Sequence, residues 1–273
     1  MKVAAVATGL VLGAIGGRAS AQDALSVEVN PLRVELKLGA GATHTQAVTL
    51  RNEGENAIRI HARVDDWYLS KDGTPQFAFA KPDTPYSATA WIRLNPVEQV
   101  VGPGVTATVR FTVTVPKDVA DGGYRSAVMF EFDPPGADPA ARARDVVFRG
   151  RVATVLYATV GKPVPRLELI DLQVRSVKDR PPVVVPTLQN LGKVHVRTSG
   201  TVIVYRPDGS VARELPLPNV PVLPESERDV AIPVWDGENL PPLPPGSYRV
   251  EVRIDVGMPA VLVGETVLEI ASR

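Results

Sequence analysis

Cysteine is absent from the 273 residues, which excludes a disulfide framework, a thiolate nucleophile and Cys-ligated zinc or iron–sulfur clusters. Stability must come from core burial alone. Net charge is absent as well: thirty Lys+Arg stand against thirty Asp+Glu. The sustained positive field used in sequence-independent nucleic-acid or acidic-membrane binding is therefore missing, and no nucleic-acid partner is expected. Histidine is scarce. His44, His61 and His195 are the three present, far apart and without H-x-H or H-E-x-x-H spacing, so each reads as a solvated strand-face residue and no metal site is expected. No G-x-S-x-G elbow and no G-x-x-x-x-G-K-[ST] phosphate loop occurs. Gly102-Pro103-Gly104-Val105-Thr106-Ala107 fits a loose G-x-G-x-x-A, but it precedes an alternating strand and opens no helix, which makes it a turn. Asp65-Asp66 is followed by Trp67 and Tyr68 where a cation would want more oxygen, and reads as a solvated strand end. No catalytic residue and no cofactor is expected, and the chain reads as a binding protein rather than an enzyme.

Long apolar runs are missing too, apart from the start of the chain. Lys2, the apolar stretch Val3–Gly17 and the Ala19-Ser20-Ala21 pattern before Gln22 read as a cleaved signal peptide over residues 1–21, because a membrane anchor needs about 20 apolar residues. Cleavage removes Lys2 and Arg18 and leaves 28 basic against 30 acidic residues, a net charge of −2. A soluble exported protein without membrane insertion is expected.

Proline is abundant, 26 residues, near twice the usual ~5%, and its recurrence forbids long helices. Apolar residues recur with period two, which is strand patterning. Ile58, Ile60, Ala62 and Val64 alternate with polar neighbours, as do Val105, Ala107, Val109, Phe111, Val113 and Val115. Tyr124, Val128, Phe130 and Phe132 form a further inward set. Segments near 25–38, 44–52, 87–101 and 146–160 complete about seven or more strands, punctuated by Gly102-Pro103-Gly104 and Asp121-Gly122-Gly123. That is the count expected of an immunoglobulin-like sandwich. After Gly161-Lys162-Pro163-Val164-Pro165, which suits an interdomain hinge, a second series begins. Tyr248, Val250, Val252, Ile254 and Val256 alternate with charged residues, and Pro207-Asp208-Gly209 marks a hairpin turn. The fold class is all-β: two tandem immunoglobulin-like sandwiches, residues 24–162 and 166–273, after the signal peptide.

The halves resemble each other. Thr49-Leu50-Arg51-Asn52-Glu53-Gly54 recurs as Thr187-Leu188-Gln189-Asn190-Leu191-Gly192, and Gly122-Gly123-Tyr124-Arg125 as Gly246-Ser247-Tyr248-Arg249. Asn-x-Gly closes a strand through a turn, and each Tyr is placed for a tyrosine corner. The stretch Asp133–Asp145 fits no strand and reads as a loop. Arg142, Arg144, Arg149 and Arg151 are either a partner contact or an edge strand guarded by charge. Trp67, Trp91 and Trp235 read as buried sandwich tryptophans before a sugar-stacking platform.

Asn30-Pro31-Leu32-Arg33-Val34-Glu35-Leu36, the Thr-Leu-x-Asn-x-Gly segment, Ser87-Ala88-Thr89-Ala90-Trp91-Ile92-Arg93-Leu94-Asn95-Pro96, Pro103-Gly104 before a Thr/Val strand, and Gly123-Tyr124-Arg125-Ser126-Ala127-Val128-Met129-Phe130-Glu131 resemble, in order, the first domain of PapD-like periplasmic pilus-assembly chaperones. The resemblance spans about residues 26–160. It implies a periplasmic chaperone or assembly factor that binds an exported pilin-like or other β-rich subunit by β-strand addition. It also implies an Arg on the first strand and a Lys on the last that hold the subunit's C-terminal carboxylate. Arg33 falls at the Arg, whereas the Lys position is Thr154. The family's exposed apolar row falls on Asp145, Val147 and Arg149, two of them charged; a slip of one residue turns Val146 and Phe148 outward instead. Partner contacts are thus expected at Arg33, Val147, Arg149 and Thr154. The alternative is an exported structural or adhesive module that binds a surface protein or glycan.

Overall fold

The computed structural model describes residues 26–78, 84–133, 150–176, 180–235 and 240–271. The signal-peptide reading, the loop reading beyond Asp133 and the contacts expected at Val147 and Arg149 lie outside the described residues. The first series of strands is β1 (Val27–Asn30), β2 (Arg33–Leu38), β3 (Thr43–Asn52), β4 (Ile58–Leu69), β5 (Pro75–Ala78), β6 (Ile92–Asn95), β7 (Glu98–Val101), β8 (Thr106–Thr114), β9 (Gly122–Asp133) and β10 (Gly150–Val160). They form two facing sheets. One has the order β1-β3-β8-β6; the other has the order β2-β10-β9-β4-β5, with β7 also on β4. Between them lies one apolar core, in which Val48, Leu50, Ile60, Val109, Phe111, Phe130, Phe132 and Leu156 are fully buried. These are inward positions of the period-two pattern, and the architecture is all-β as the alternation requires.

The second series comprises β11 (Leu167–Arg175), β12 (Val183–Asn190), β13 (Val196–Arg197), β14 (Ser199–Tyr205), β15 (Val211–Pro216), β16 (Pro221–Val222), β17 (Ser226–Asp229), β18 (Ile232–Pro233), β19 (Gly246–Asp255) and β20 (Leu262–Ile270). Its main sheets are β11-β12-β17, with β18 on β12, and β15-β14-β19-β20. They enclose a core built on Leu188, Val202, Val204, Val250, Val252, Ile254 and Leu268. The hairpin expected at Pro207-Asp208-Gly209 joins β14 to β15, with Gly209 at φ 82° and its N–H donating to Arg206.

The internal repeat has a physical basis. Asn52 Nδ2 donates to the carbonyls of Asn56 (2.7 Å) and Val101 (3.1 Å), and its Oδ1 accepts from Gly54 N–H. Asn190 does the same to Val194 and Val222 at 2.8 and 2.9 Å, accepting from Gly192 N–H. Each amide thus closes its strand and satisfies three backbone groups in a place water does not reach. Both tyrosine corners are present: Tyr124 Oη donates to the Ala120 carbonyl at 2.9 Å and Tyr248 Oη to that of Pro244 at 2.8 Å.

Two expectations need correction. Residues 87–101 are not one strand: a 3₁₀ turn over Thr89–Trp91 is followed by β6, paired with β8, and by β7, paired with β4 in the opposite sheet. The change of sheet occurs at Asn95-Pro96, where proline lacks the N–H a continuous ladder needs. Gly122-Gly123 is not a turn but the start of β9. A Cβ on Gly123 would lie 2.9 Å from Cα of Val194, so the glycine is there to admit the backbone of the second sandwich.

Asn190→Ala should cost on the order of 3 kcal/mol, since three buried backbone groups lose their partner, whereas Tyr248→Phe should cost about 1 kcal/mol. Urea midpoints of the two variants check this; equal costs would mean the Asn-x-Gly closure is not a distinct determinant.

Candidate partner-binding edge and the seam beside it

β1 and β2 are one sequence run divided between two sheets. β1 pairs antiparallel with β3, the chain crosses at Asn30-Pro31-Leu32, and β2 then pairs parallel with β10 from Arg33↔Val155 to Leu38↔Val160. On its other side β10 pairs with β9 along its whole length, from Gly150↔Phe132 to Val160↔Gly122. Of the strand expected over 146–160, the part from Val155 onward is closed by β2, because the chain enters this sheet at Arg33. Before Val155 no described strand pairs with β10 on that side. Val155 N–H donates to the Leu32 carbonyl at 2.9 Å, so by strand alternation the N–H and C=O of Ala153 point to the same open side. An edge of this kind is a template for another strand.

Thr154 stands beside that opening but faces inward. It is fully buried, 0% exposed, and its Oγ1 donates to the Pro31 carbonyl at 2.8 Å. Its hydroxyl holds the crossing of the chain and is not presented to a partner. Arg33, at the first paired position of β2, has a side chain 53% exposed with Nε 3.5 Å from Glu35 Oε1. The same oxygen accepts from Arg197 Nε at 2.7 Å. Burial by itself raises Glu35, but the hydrogen bond and charge of Arg197, helped by His195 and Arg33, outweigh it and hold the carboxyl below the usual glutamate value.

Arg197 comes from the second sandwich, whose contact with the first is extensive. Trp67, Ala127, Tyr157 and Leu223 make an apolar cluster across the seam. Trp67 is 3% exposed, meets Tyr157 edge-on with centroids 5.4 Å apart, and donates Nε1–H to the Ser126 carbonyl. It is thus a buried tryptophan, but one that serves the seam rather than a sandwich core. His195 lies against the Tyr157 ring at 4.2 Å, and the Arg197 guanidinium is 5.6 Å from the same ring centroid. Gly123 N–H donates to the Lys193 carbonyl at 2.6 Å. At the far end the turn between β4 and β5 docks on β17: Lys71 Nζ meets Glu227 Oε2 at 2.7 Å, and the Lys71 carbonyl accepts from Asp229 N–H. The linker is tied too, Lys162 N–H donating to Asp121 Oδ2 at 3.0 Å.

Asp65 and Asp66 are buried, which corrects their reading as a solvated strand end. Asp66 Oδ1 accepts from Ser87 Oγ at 2.6 Å and Thr89 Oγ1 at 2.7 Å, and Asp65 pairs with Arg63. Arg125, also buried, donates Nε–H to the Trp67 carbonyl. Burial lowers its pKa while Asp66 and the seam tyrosines oppose the shift. It lines a cavity of about 280 Å³ at the seam together with Tyr86, Leu223 and Glu225. Among the described residues no group of three or more His, Cys, Asp or Glu could hold a metal ion, and no helix is long and apolar enough to cross a membrane.

No family model matches the chain and no curated protein matches it. Solved structures do. The class 5 fimbriae chaperone CfaA aligns with 88% of this chain and 98% of its own at 10% identity and TM-score 0.45. The Pseudomonas aeruginosa CupB2 chaperone covers 88% of this chain and 100% of its own, with 17% identity and TM-score 0.40. The SafB chaperone, solved with the Salmonella enterica SafA pilin, gives 89%, 98%, 15% and 0.43 for the same quantities. Along most of its length this chain is similar to fimbrial chaperones.

Of the residues expected to meet a partner, Arg33 and Thr154 come close to one opening, one exposed and one buried. Glu35, Tyr157, His195, Arg197 and Arg125 were missed, and no local motif could have found them: Glu35 and Arg197 are 162 positions apart and meet only through the seam.

Burial pushes the His195 imidazole down to about 4, with Glu35 opposing and Arg197 reinforcing the shift. A histidine near 6.5 when unfolded and about 4 when folded binds its proton first in the unfolded chain. Its contribution is whole above about 6.5 and is lost as pH falls toward 4, on the order of 3 kcal/mol in all. Glu35, depressed when folded, loses its contribution in the same acid direction. Urea midpoints should fall between pH 6.5 and 4, and His195→Phe should flatten that slope; an unchanged slope would assign the acid sensitivity elsewhere.

Proposed function

We propose that this chain is an exported chaperone or assembly factor that holds β-rich, pilin-like subunits by strand addition along the first half of β10. In this reading residues 1–21 are removed on export to the periplasm, residues 24–162 present the edge, and residues 166–273 form the second sandwich that braces it. The observation that carries the reading is the crossing at Asn30-Pro31-Leu32, which leaves β10 without a described neighbour ahead of Val155 and puts the exposed Arg33 at the end of that gap. An incoming strand would take its main-chain hydrogen bonds from the open side of Ala153 and its neighbours, the bonds that give β-strand addition its affinity. Arg33 would add a charge-assisted contact to a carboxylate. Val147 and Arg149 belong to the same proposal as contacts further along the edge, while the burial of Thr154 argues for a structural part instead. Binding, with no chemistry done on the partner, is all the reading requires.

The experiment is purification of the tagged protein from its own cells, identification of a stoichiometric co-purifying subunit, and capture of that subunit by variants. Ala153→Pro removes one donor on the open side and none from the β9 ladder, so it should abolish capture while circular dichroism stays that of the wild type. Arg33→Ala should weaken capture roughly ten- to a hundredfold, the worth of a hydrogen bond to a charged group. Undiminished capture by Ala153→Pro would remove strand addition at this edge, and envelope material in place of a subunit would favour a structural or adhesive module.

A further inference from the structure

Across the first sandwich the strand register runs Glu35, Tyr157, Arg125, so the cavity that Arg125 lines is a different part of the seam from the Glu35 ion pairs. It has a volume of about 280 Å³, and a cavity of about 150 Å³ already accepts benzene. Its walls are largely apolar and aromatic and come from both sandwiches: Tyr68, Leu69 and Tyr86 from the first, Leu223 and Pro224 from the second. Set among them is one cation. Arg125 is only 8% exposed. Its backbone is fixed by the neighbouring segment, the N–H donating to the Tyr86 carbonyl at 2.8 Å and the C=O accepting from Ala88 N–H at 2.9 Å. Its Nε–H goes to the Trp67 carbonyl at 2.9 Å, which orients the guanidinium. Nη1 has no partner in the protein. Asp66 supports the charge, but its Oδ1 accepts from Ser87 and Thr89 instead. Arginine keeps its charge when buried, and a buried donor held in place without an acceptor is costly enough to need a reason.

The wall from the second sandwich also carries Glu225. At φ 53° it is the one residue other than glycine in the left-handed region among the described residues. A side chain persists there only where its surroundings fix it: Ser226 Oγ donates to the Leu223 carbonyl at 2.9 Å, and the Tyr86 hydroxyl hydrogen-bonds Glu225. Burial, with that bond, pushes the Tyr86 hydroxyl up to about 12, so it stays a neutral donor to the glutamate. Glu225 is thus held by Tyr86, and the guanidinium is left for something else. We infer that the cavity binds a small aromatic carboxylate, its carboxylate on Arg125 Nη1 and its ring among Tyr68, Tyr86 and Leu223. The unmet guanidinium donor calls for an anion, and the tyrosine rings suit an aromatic body. This site does not depend on strand addition at β10. Because its walls belong to both sandwiches, an occupant stabilises their packing.

The test is titration calorimetry on the tagged protein purified from its own cells, with 3-phenylpropionate compared with 3-phenylpropionamide, which keeps the ring and lacks the charge. Wild type should bind the carboxylate about tenfold or more tightly than the amide, the worth of a hydrogen bond to a charged group. Its melting temperature should rise with the concentration of the carboxylate. Arg125→Gln should remove the preference; a folded Arg125→Gln protein that kept it would overturn the site. Since Arg125 also serves packing, a second variant leaves it in place. Glu225 is exposed, and Glu225→Gln removes a like charge, which should raise affinity for the carboxylate about threefold and leave the amide unchanged. Weaker carboxylate binding by Glu225→Gln would mean that the glutamate meets a positive end of the ligand, and the assignment to a simple carboxylate would fall. Equal binding of the two compounds by wild type would make the cavity merely apolar, and binding of neither would leave Arg125 Nη1 to water. Either result overturns the site without touching strand addition at β10.

Discussion

The crossing of the chain from one sheet to the other at Asn30-Pro31-Leu32 is the constraint on which the rest of this structure turns. A strand that stayed in either sheet would have left one edge wholly open or the other wholly closed. By dividing itself, the run closes β10 from Val155 onward and leaves the preceding residues to pair elsewhere. Thr154, buried and donating to the Pro31 carbonyl, fastens the crossing from the side of β10. Backbone polar groups at an edge demand partners, and the position of this crossing decides which part of β10 finds them in β2.

The seam beside that opening is held by contacts of three kinds. It combines buried apolar contact at Trp67, Tyr157 and Leu223 with main-chain hydrogen bonds at Gly123–Lys193 and Lys71–Asp229, and with ion pairs at its two ends. At Gly123 the backbones themselves come close: any side chain there would meet the Val194 backbone. Exposed ion pairs contribute little by themselves; the weight lies on the apolar cluster and on the ring of Tyr157, whose hydroxyl burial pushes up to about 12. The same ring carries His195 and Arg197, so packing and charge placement at the seam are one arrangement.

At the end of the open edge two arginines share one carboxylate oxygen of Glu35. Arginine suits this place because its planar fork binds carboxylates with fixed geometry and keeps its charge when partly desolvated. Glu35 keeps the two guanidinium groups from facing each other without a counterion.

The sequence by itself determined the architecture, because strands announce themselves through period-two burial and turns through Pro, Gly and Asn. The alternation over 58–64 and 105–115, the hairpin at Pro207-Asp208-Gly209, the paired Asn-x-Gly closures and both tyrosine corners are local patterns whose consequences are local. Arg33 was singled out because it sits in a short run that resembles a known first strand, and the structure places it, exposed, at the start of β2. What only the tertiary structure decided is everything made by residues distant in sequence. The burial of Asp65-Asp66 under Ser87 and Thr89, the closing of half of β10, the inward turn of Thr154, and the meeting of Glu35 with Arg197 depend on which sheet a strand joins and on how two sandwiches pack. Periodicity says which face of a strand is wet, but not which wet face another sandwich will cover.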